Sequence, residues 1–557
     1  MIRPSLEFAA AAVGGLLFWA LGPATGWCAA GAAQAPASST VANDQEGKAG
    51  QETRDGQQGA DQRFDINEFR VLGNTVLPNI KVEAAVYPFL GPKKTLHTVE
   101  EARDALVAVY KAGGFGTVLV DIPEQSVDEG VVRLKVTEGR IERVHISGAR
   151  YYSERKILSA LPAVKPGTVP AFPALQSQLS ALANESRDRE ITPLLKAGTA
   201  PGTVAVDLKV KDDVPFHAGL EADDRFTADT ARTRVTATVS YENLFQRNES
   251  LSLQYQTAPA APSEVKLWAL TYAGRTSSPD WTWSAYAIRS DSNVAALGTL
   301  AVIGNGKMFG GRLIRGLGGS ATDIQSLTFG IDYKDFGQTI QLPGDVNAAT
   351  PIHYLMWSGQ YAISTFGAHF NSTSSVALNF GLRGLVGDDA EFQFKRSGAT
   401  GGFSYLRGST NLTWRVWRGV ALIGRFAAQY SEQPLVNNEQ FSLGGADSVR
   451  GYLESEELLD SGLSGTFELH APALKLWSTQ AVLYSFYDRG IGMVQQPLGS
   501  QIESGTVRTD LFSWGAGIRL TGPSHFSGTF EWADPRTDGS RTIHGHSRTL
   551  FSVLYGF

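Results

Sequence analysis

Cysteine is all but absent: Cys28 is the only one in 557 residues. It falls in the first 30 residues, which read as a removable export segment, so no disulfide and no thiol chemistry is expected in the remainder. Beyond residue 30 there is also no uninterrupted apolar run of membrane-helix length, which argues against a helical membrane protein. A membrane β-barrel is not excluded, because its strands alternate and escape hydropathy averaging. Catalytic signatures are missing too: the chain has no Gly-x-Ser-x-Gly, no His-Glu-x-x-His and no Gly-x-x-x-x-Gly-Lys-Ser/Thr, so neither an enzyme nor a cofactor is expected. Excess positive charge is lacking as well. A formal charge of −6 argues against a nucleic-acid partner.

Glycine and aromatic residues are plentiful, with 60 Gly, 11 Trp, 17 Tyr and 28 Phe. The chain opens with Arg3, an apolar segment from Phe8 to Leu21, and small residues Ala29, Ala30, Ala32 and Ala33, the layout of a signal peptide over residues 1–30. A membrane anchor is the alternative, but Gly14, Gly15, Gly22 and Pro23 interrupt the segment. A lipoprotein reading of Cys28 requires a small residue before it, where Trp27 stands. Residues 31–63 are rich in Ala, Gln, Gly, Asp and Glu, lack aromatic residues and show no apolar period, as in a disordered leader.

Two similar small units follow. In residues 64–139, Phe69 and Val71 alternate as a strand, Gly73-Asn74 turns into a helix near Ile80 to Leu90, and Thr98 with Glu101 reads as a capping box. Ala102, Ala105, Leu106 and Val109 make one face of a second helix that Gly113-Gly114 ends. Strands are expected at Thr117 to Ile122 and Val131 to Thr137. Residues 140–213 repeat the order, with a strand at Ile141 to Ile146, helices from Ser153 to Leu161 and Ala171 to Ser186, and strands at Ile191 to Leu195 and Thr203 to Lys211.

Pro215 marks a change of regime. Val235, Ala237, Val239 and Tyr241 alternate with polar residues, and so do Leu251-Leu253-Tyr255 and Val376-Leu378-Phe380-Leu382. A soluble sandwich could show one such strand; persistence to the end of the chain points to a membrane barrel. Trp268, Tyr272, Trp281, Trp283, Trp414 and Trp417 are expected near strand ends, where interfacial girdles sit. Phe551, Val553, Tyr555 and Phe557 close the chain on one strand face.

Within this region Ser442-Leu443-Gly444-Gly445-Ala446-Asp447-Ser448-Val449-Arg450-Gly451-Tyr452 is written as a loop tip, since glycine permits positive φ and close backbone approach. An enclosed arginine needs a carboxylate for its planar fork, and Asp488 in Phe486-Tyr487-Asp488-Arg489-Gly490 is the candidate. The run Glu454 to Glu457 reads as loop solvation. His544-Gly545-His546 offers two ligands without a third, so an exposed loop is expected and no metal.

The two motifs together resemble the signature of the outer-membrane translocase and insertase superfamily. In that superfamily a long extracellular loop bearing Val-Arg-Gly-Phe/Tyr folds back into a β-barrel, and its arginine meets an aspartate on the inner wall. The two small units resemble POTRA domains. Gly113-Gly114-Phe115, Ile122-Pro123-Glu124-Gln125, Gly130-Val131-Val132-Arg133-Leu134 and Glu138-Gly139-Arg140-Ile141 resemble the first POTRA of the two-partner secretion transporters, the haemolysin secretion/activation (TpsB) branch.

The resemblance implies a mostly β fold: two small α+β POTRA domains, then a transmembrane antiparallel β-barrel of about sixteen strands over residues 214–557, which membrane strands of about 9–11 residues permit. It places the barrel in outer-membrane lipid and the POTRA domains in the periplasm. The expected partners are an unfolded, TpsA-like exoprotein and the barrel assembly machinery, which would read Tyr555 and Phe557. The expected site is Val449, Arg450, Gly451 and Tyr452 on the inward loop, with Phe486, Asp488 and Gly490 on the wall. Relatives often carry Asp-Asn-x-Gly at the first barrel strand, where this chain has Glu221-Ala222-Asp223-Asp224-Arg225, and many carry a plug helix, for which residues 31–63 show no helical period. Three other readings stay open: an assembly factor for other barrels, a passive porin, which would not need POTRA units, and a surface adhesin.

Overall fold

A computed structural model describes residues 63–557, apart from residues 128, 229, 279, 293, 298–299, 304, 321, 343–345, 498–506 and 524. The expected signal peptide, Cys28 and all but the last residue of the expected leader lie outside the described residues. The chain forms two compact units that divide between Pro215 and Phe216.

The N-terminal unit holds both modules. In the first, the edge strand Glu68–Leu72 lies parallel to a central strand Val131–Glu138, and Val118–Asp121 lies antiparallel on the other side. In the second, Arg140–Ser147 and Arg189–Ala197 flank the central strand Thr203–Asp212 in the same way. Helices Asn79–Val86 and Leu96–Ala112 cover the first sheet, and Glu154–Ala160 and Phe172–Glu185 the second. Each sheet closes its own core: Leu106, Tyr110 and Leu134 in the first, Ile157, Val206 and Leu208 in the second.

Three details differ from expectation. The helix expected to start at Thr98 begins at Leu96 with Thr95 as N-cap, so Thr98 sits in its first turn and no capping box forms. The Thr98 amide instead donates to the Thr95 carbonyl at 3.0 Å, and Val99 joins Ala102, Leu106 and Tyr110 in the buried stripe. The preceding α-helix stops at Val86 and tightens to a 3₁₀ turn, because Pro88 has no N–H for the Ala84 carbonyl. A further strand pair, Phe64–Ile66 with Gly91–Lys94, extends the first module. Gly113-Gly114 does end the helix, Gly114 having φ +84°.

The C-terminal unit is a closed antiparallel barrel of sixteen long strands, with a short strand Leu474–Leu476 folded back on one of them. The first strand, Phe216–Asp223, pairs with the last, Arg548–Gly556, from Ser552↔Asp223 to Gly556↔Gly219. Side chains obey the period of two: Val239, Leu253, Leu270 and Leu378 are exposed on the outside, while Thr236, Gln256, Thr466 and Glu468 are buried inside. Trp281 opens a strand and Trp417 closes one, whereas Tyr272 lies within Lys266–Arg275. At the C-terminus Val553, Tyr555 and Phe557 are exposed on the outer face, with Phe551 half-buried.

Candidate functional site

Residues 431–460 connect the eleventh long strand, Val420–Tyr430, to the twelfth, Ser461–His470. Their base is a two-stranded ribbon, Phe441–Leu443 against Glu457–Leu459. Beyond it Gly444 (φ +99°), Gly445 (φ +102°) and Gly451 (φ +93°) turn the chain through backbone conformations that a side chain would strain. The tip is not solvated: Leu443, Val449 and Tyr452 are buried with Leu459 and Leu511 in one apolar cluster.

Arg450 is 1% exposed. Its Nε donates to Asp488 Oδ2 at 2.7 Å and its Nη2 to Asp488 Oδ1 at 2.9 Å, a two-point fork, and its backbone N–H donates to Oδ2 at 3.1 Å. Nη1 reaches two further carboxylates, Glu531 Oε1 at 2.6 Å and Glu468 Oε1 at 2.9 Å. The guanidinium carbon lies 3.4 Å from the centre of the Phe486 ring, a cation–π contact. One cation thus ties together Glu468, Asp488 and Glu531 on three strands, Ser461–His470, Thr479–Met493 and Ser527–Pro535.

The rest of the wall motif makes room for this arrangement. A Cβ on Gly490 would stand 2.8 Å from Leu443 Cδ2 and 2.9 Å from Val449 Cγ2, so only glycine lets the tip lie flat there. Phe486 in turn occupies the space above Gly515, its neighbour across the strands. The Tyr452 hydroxyl lies 2.7 Å from the Thr537 carbonyl and 3.0 Å from that of Phe512. All seven expected motif residues therefore meet at one place, while Tyr555 and Phe557 lie on the outer face.

Glu468 and Glu531 belong to neither sequence motif. Their signal was an acid at an inward position of an otherwise apolar–small alternation, Phe467-Glu468-Leu469 and Phe530-Glu531-Trp532. The acidic run is a correction: Glu456 accepts from the Leu453, Arg541 and Thr542 amides and the Thr542 hydroxyl. It therefore holds this loop to the last one and is not mere loop solvation. His544 and His546 are exposed, and His544 Nδ1 lies 2.7 Å from Asp538.

In the N-terminal unit the Glu138-Gly139-Arg140 motif joins the modules. The Glu138 carboxylate accepts from the Thr75 amide and hydroxyl at 2.5 Å and the Val76 amide at 3.0 Å, and pairs with Arg140 Nη2 at 2.8 Å. Arg140 Nη1 donates to the Gly167 carbonyl of the second module. Burial pushes the Glu138 carboxyl up, but the Thr75 and Val76 bonds outweigh it and hold the group below its ordinary value. Gly139 is required because a Cβ would lie 2.6 Å from the Thr117 carbonyl oxygen.

Comparison with known proteins places this geometry. The family profile described as haemolysin secretion/activation protein ShlB/FhaC/HecB matches residues 202–520, and a POTRA domain of ShlB type matches residues 64–139. The outer membrane transporter CdiB of Dickeya dadantii (strain 3937) is 22% identical over 446 residues, covering 74% of this chain and 73% of the relative. CdiB of Escherichia coli O6:K15:H31 (strain 536 / UPEC) is 24% identical over 508 residues, covering 84% and 78%. Among solved structures, CdiB from Escherichia coli aligns with a TM-score of 0.58 at 17% identity, covering 91% of this chain and 93% of the other. BamA from Haemophilus ducreyi lacking POTRA domains 1–3 aligns at 0.55 and 13%, covering 89% and 100%; at these identities both show the fold alone.

Proposed function

The chain belongs to the ShlB/FhaC/HecB family of haemolysin secretion/activation proteins, the two-partner secretion transporters of the outer membrane, and from that premise we propose that it captures one unfolded exoprotein in the periplasm and passes it outward through the barrel. The observation that carries this reading is the buried Arg450 fork on Asp488, which holds a long loop inside the barrel as an export channel with a built-in moving part would need. A passive porin needs no such loop and no POTRA units.

Capture is assigned to the open sheet edges of the POTRA domains. Among the described residues no strand pairs with the outer sides of Glu68–Leu72, Val118–Asp121, Arg140–Ser147 or Arg189–Ala197. Unpaired N–H and C=O groups there can add an extended client strand with little dependence on its sequence. Pro193 blunts the last of these edges, so the other three carry the assignment. The sequence has no Gly-x-x-x-x-Gly-Lys-Ser/Thr phosphate-binding signature and the outer membrane has no ATP, so folding of the exported chain outside is assigned as the source of energy. Activation of the exoprotein during export belongs to the same proposal, as do outer-membrane lipid around the barrel and delivery by the barrel assembly machinery through Tyr555 and Phe557. No nucleic acid takes part.

The test is capture by the full-length protein in detergent. A denatured amino-terminal segment of the exoprotein that cells lacking this gene fail to release, diluted onto the immobilised transporter, should be retained, and excess of the same segment after folding should not compete. Retention of denatured segments from unrelated barrel proteins with equal affinity would instead favour an assembly factor.

A further inference from the structure

The loop that carries Arg450 is fixed to the barrel at a second place that its signature does not explain. The 3₁₀ turn Asn437–Glu439 brings Glu439, 1% exposed, against a different arc of the wall. Glu439 Oε1 accepts from Lys334 Nζ at 2.5 Å and from the Tyr354 hydroxyl, and Oε2 accepts from the Tyr405 hydroxyl at 2.7 Å. These three partners stand on Asp323–Leu342, Val346–Phe366 and Ser404–Trp417, the seventh, eighth and tenth long strands in barrel order. The partners of Arg450 stand on the twelfth, thirteenth and fifteenth. Inside the barrel the loop is a strap, with a carboxylate fastened to one arc and a guanidinium to another.

A second loop lies under the same strap. Residues 382–403 carry the short helix Asp389–Lys395, and Phe392 and Phe403 from this loop join Leu435 and Val436 of the strap in one buried cluster with Met308 and Phe336. Outward apolar side chains of this barrel are exposed, so this buried cluster faces inward. Arg396 forks onto Asp460, Nη1 to Oδ1 at 2.6 Å and Nη2 to Oδ2 at 2.5 Å. Asp460 also accepts from the Leu435 amide at 2.9 Å and the Gln495 amide at 2.6 Å, so one buried carboxylate clasps three successive loops. The first barrel strand leaves from the periplasmic POTRA domains, so loops that follow odd-numbered strands are extracellular. All three are of that kind.

We propose that loops 382–403 and 431–460 together form the extracellular gate of the pore, and that Glu439 is its releasable latch, a positioning residue for the strap. This rests on the reading that the barrel interior is the export path. The two fastenings differ in what release leaves behind. Withdrawing Arg450 would leave two buried carboxylates, Asp488 and Glu531, without the cation they share, while Glu468 keeps Arg425. Withdrawing Glu439 leaves one ammonium and two phenols, which water entering an open lumen can solvate, and Arg407, which lies over the Tyr405 ring, stays bonded to Gln429. The Glu439 limb is therefore the one that an arriving polypeptide displaces, while Arg450 stays as the pivot.

The test uses the full chain in planar lipid bilayers without exoprotein, so that its failure is separable from failure of the export reading. Glu439→Gln keeps the size of the side chain and removes its charge; it should raise the open-channel fraction several-fold while the barrel keeps its heat-modifiable mobility. Tyr405→Phe, which removes one bond and no charge, should give a smaller rise and serves if Glu439→Gln does not assemble. A Glu439→Cys, Lys334→Cys pair, with Cys28→Ser, bridged by a short bis-methanethiosulfonate, should lower conductance and block secretion until a reductant is added. Wild-type conductance in the assembled Gln and Phe variants, or normal secretion through the bridged pair, overturns the proposal. A merely structural role predicts a weaker barrel and no change in conductance.

Discussion

Arg450 and Asp488 are held together by three hydrogen bonds, two from the guanidinium fork and one from the arginine's own backbone N–H. The aspartate therefore fixes the chain at the loop tip as well as the side chain. A point contact between charges would let the loop slide, whereas a bond to the backbone fixes its register. That distinction decides what substitutions here should do.

Arg450→Ala leaves Glu468, Asp488 and Glu531 buried without their shared cation. Breaking a buried pair by removing one partner costs about 3–5 kcal/mol, spread over a barrel whose strands remain paired. Secretion should fall at least tenfold while the protein still reaches the outer membrane, measured by immunoblots of medium and membrane. Arg450→Lys should rescue little, because a point charge cannot fork onto Asp488.

Gly490→Val should mimic the loss of Arg450 without touching a charge. Its first carbon alone would collide with Leu443 and Val449, lifting the tip from the wall. Limited proteolysis should then cut within residues 441–459, and Gly490→Ala combined with Val449→Ala should restore part of the secretion that Gly490→Ala loses.

Glu138 governs the join between the POTRA domains. Its carboxyl lies below its ordinary value of 4.5 when folded, so its contribution is present above about pH 4.5 and is lost as pH falls through the lowered folded value. Glu138→Gln should remove that contribution at every pH, on the order of 1–3 kcal/mol for hydrogen bonds to a charged group. Hydrogen exchange at the Thr75 and Val76 amides of the full-length protein should rise in the variant at pH 7. The wild-type protein should lose the same protection only at acid pH.

Phe557→Ser tests the assembly assignment. Phe557 is 67% exposed on the outer face, so its removal costs the finished barrel little packing. A fall in outer-membrane level, with unchanged thermal stability of the protein that does insert, is the expected outcome.

Much of this was legible because the signals were local or had fixed spacing. Strand alternation marked the barrel wall, Gly113-Gly114 marked a helix end, and Val449–Tyr452 with Phe486–Gly490 announced the buried fork. What escaped was contributed by residues far apart in the chain with no pattern of their own. Glu531 meets Arg450 across 81 residues and Lys334 meets Glu439 across 105, and an inward acid looks the same whether or not a cation awaits it. The capping box failed for a different reason: Thr98 and Glu101 have the right spacing, but the helix begins two residues before Thr98, with Thr95 as N-cap. In the sequence the acidic run at Glu454 to Glu457 looks like solvent-facing charge because the partners of Glu456, the amides of residues 541–542, lie on the last extracellular loop.

The most direct measurement is the set of proteins released to the medium by cells with and without this gene, with outer-membrane proteins quantified in parallel. The account predicts that one large exoprotein disappears from the medium while the outer membrane is unchanged. Depletion of many outer-membrane barrels with no single missing exoprotein would contradict it.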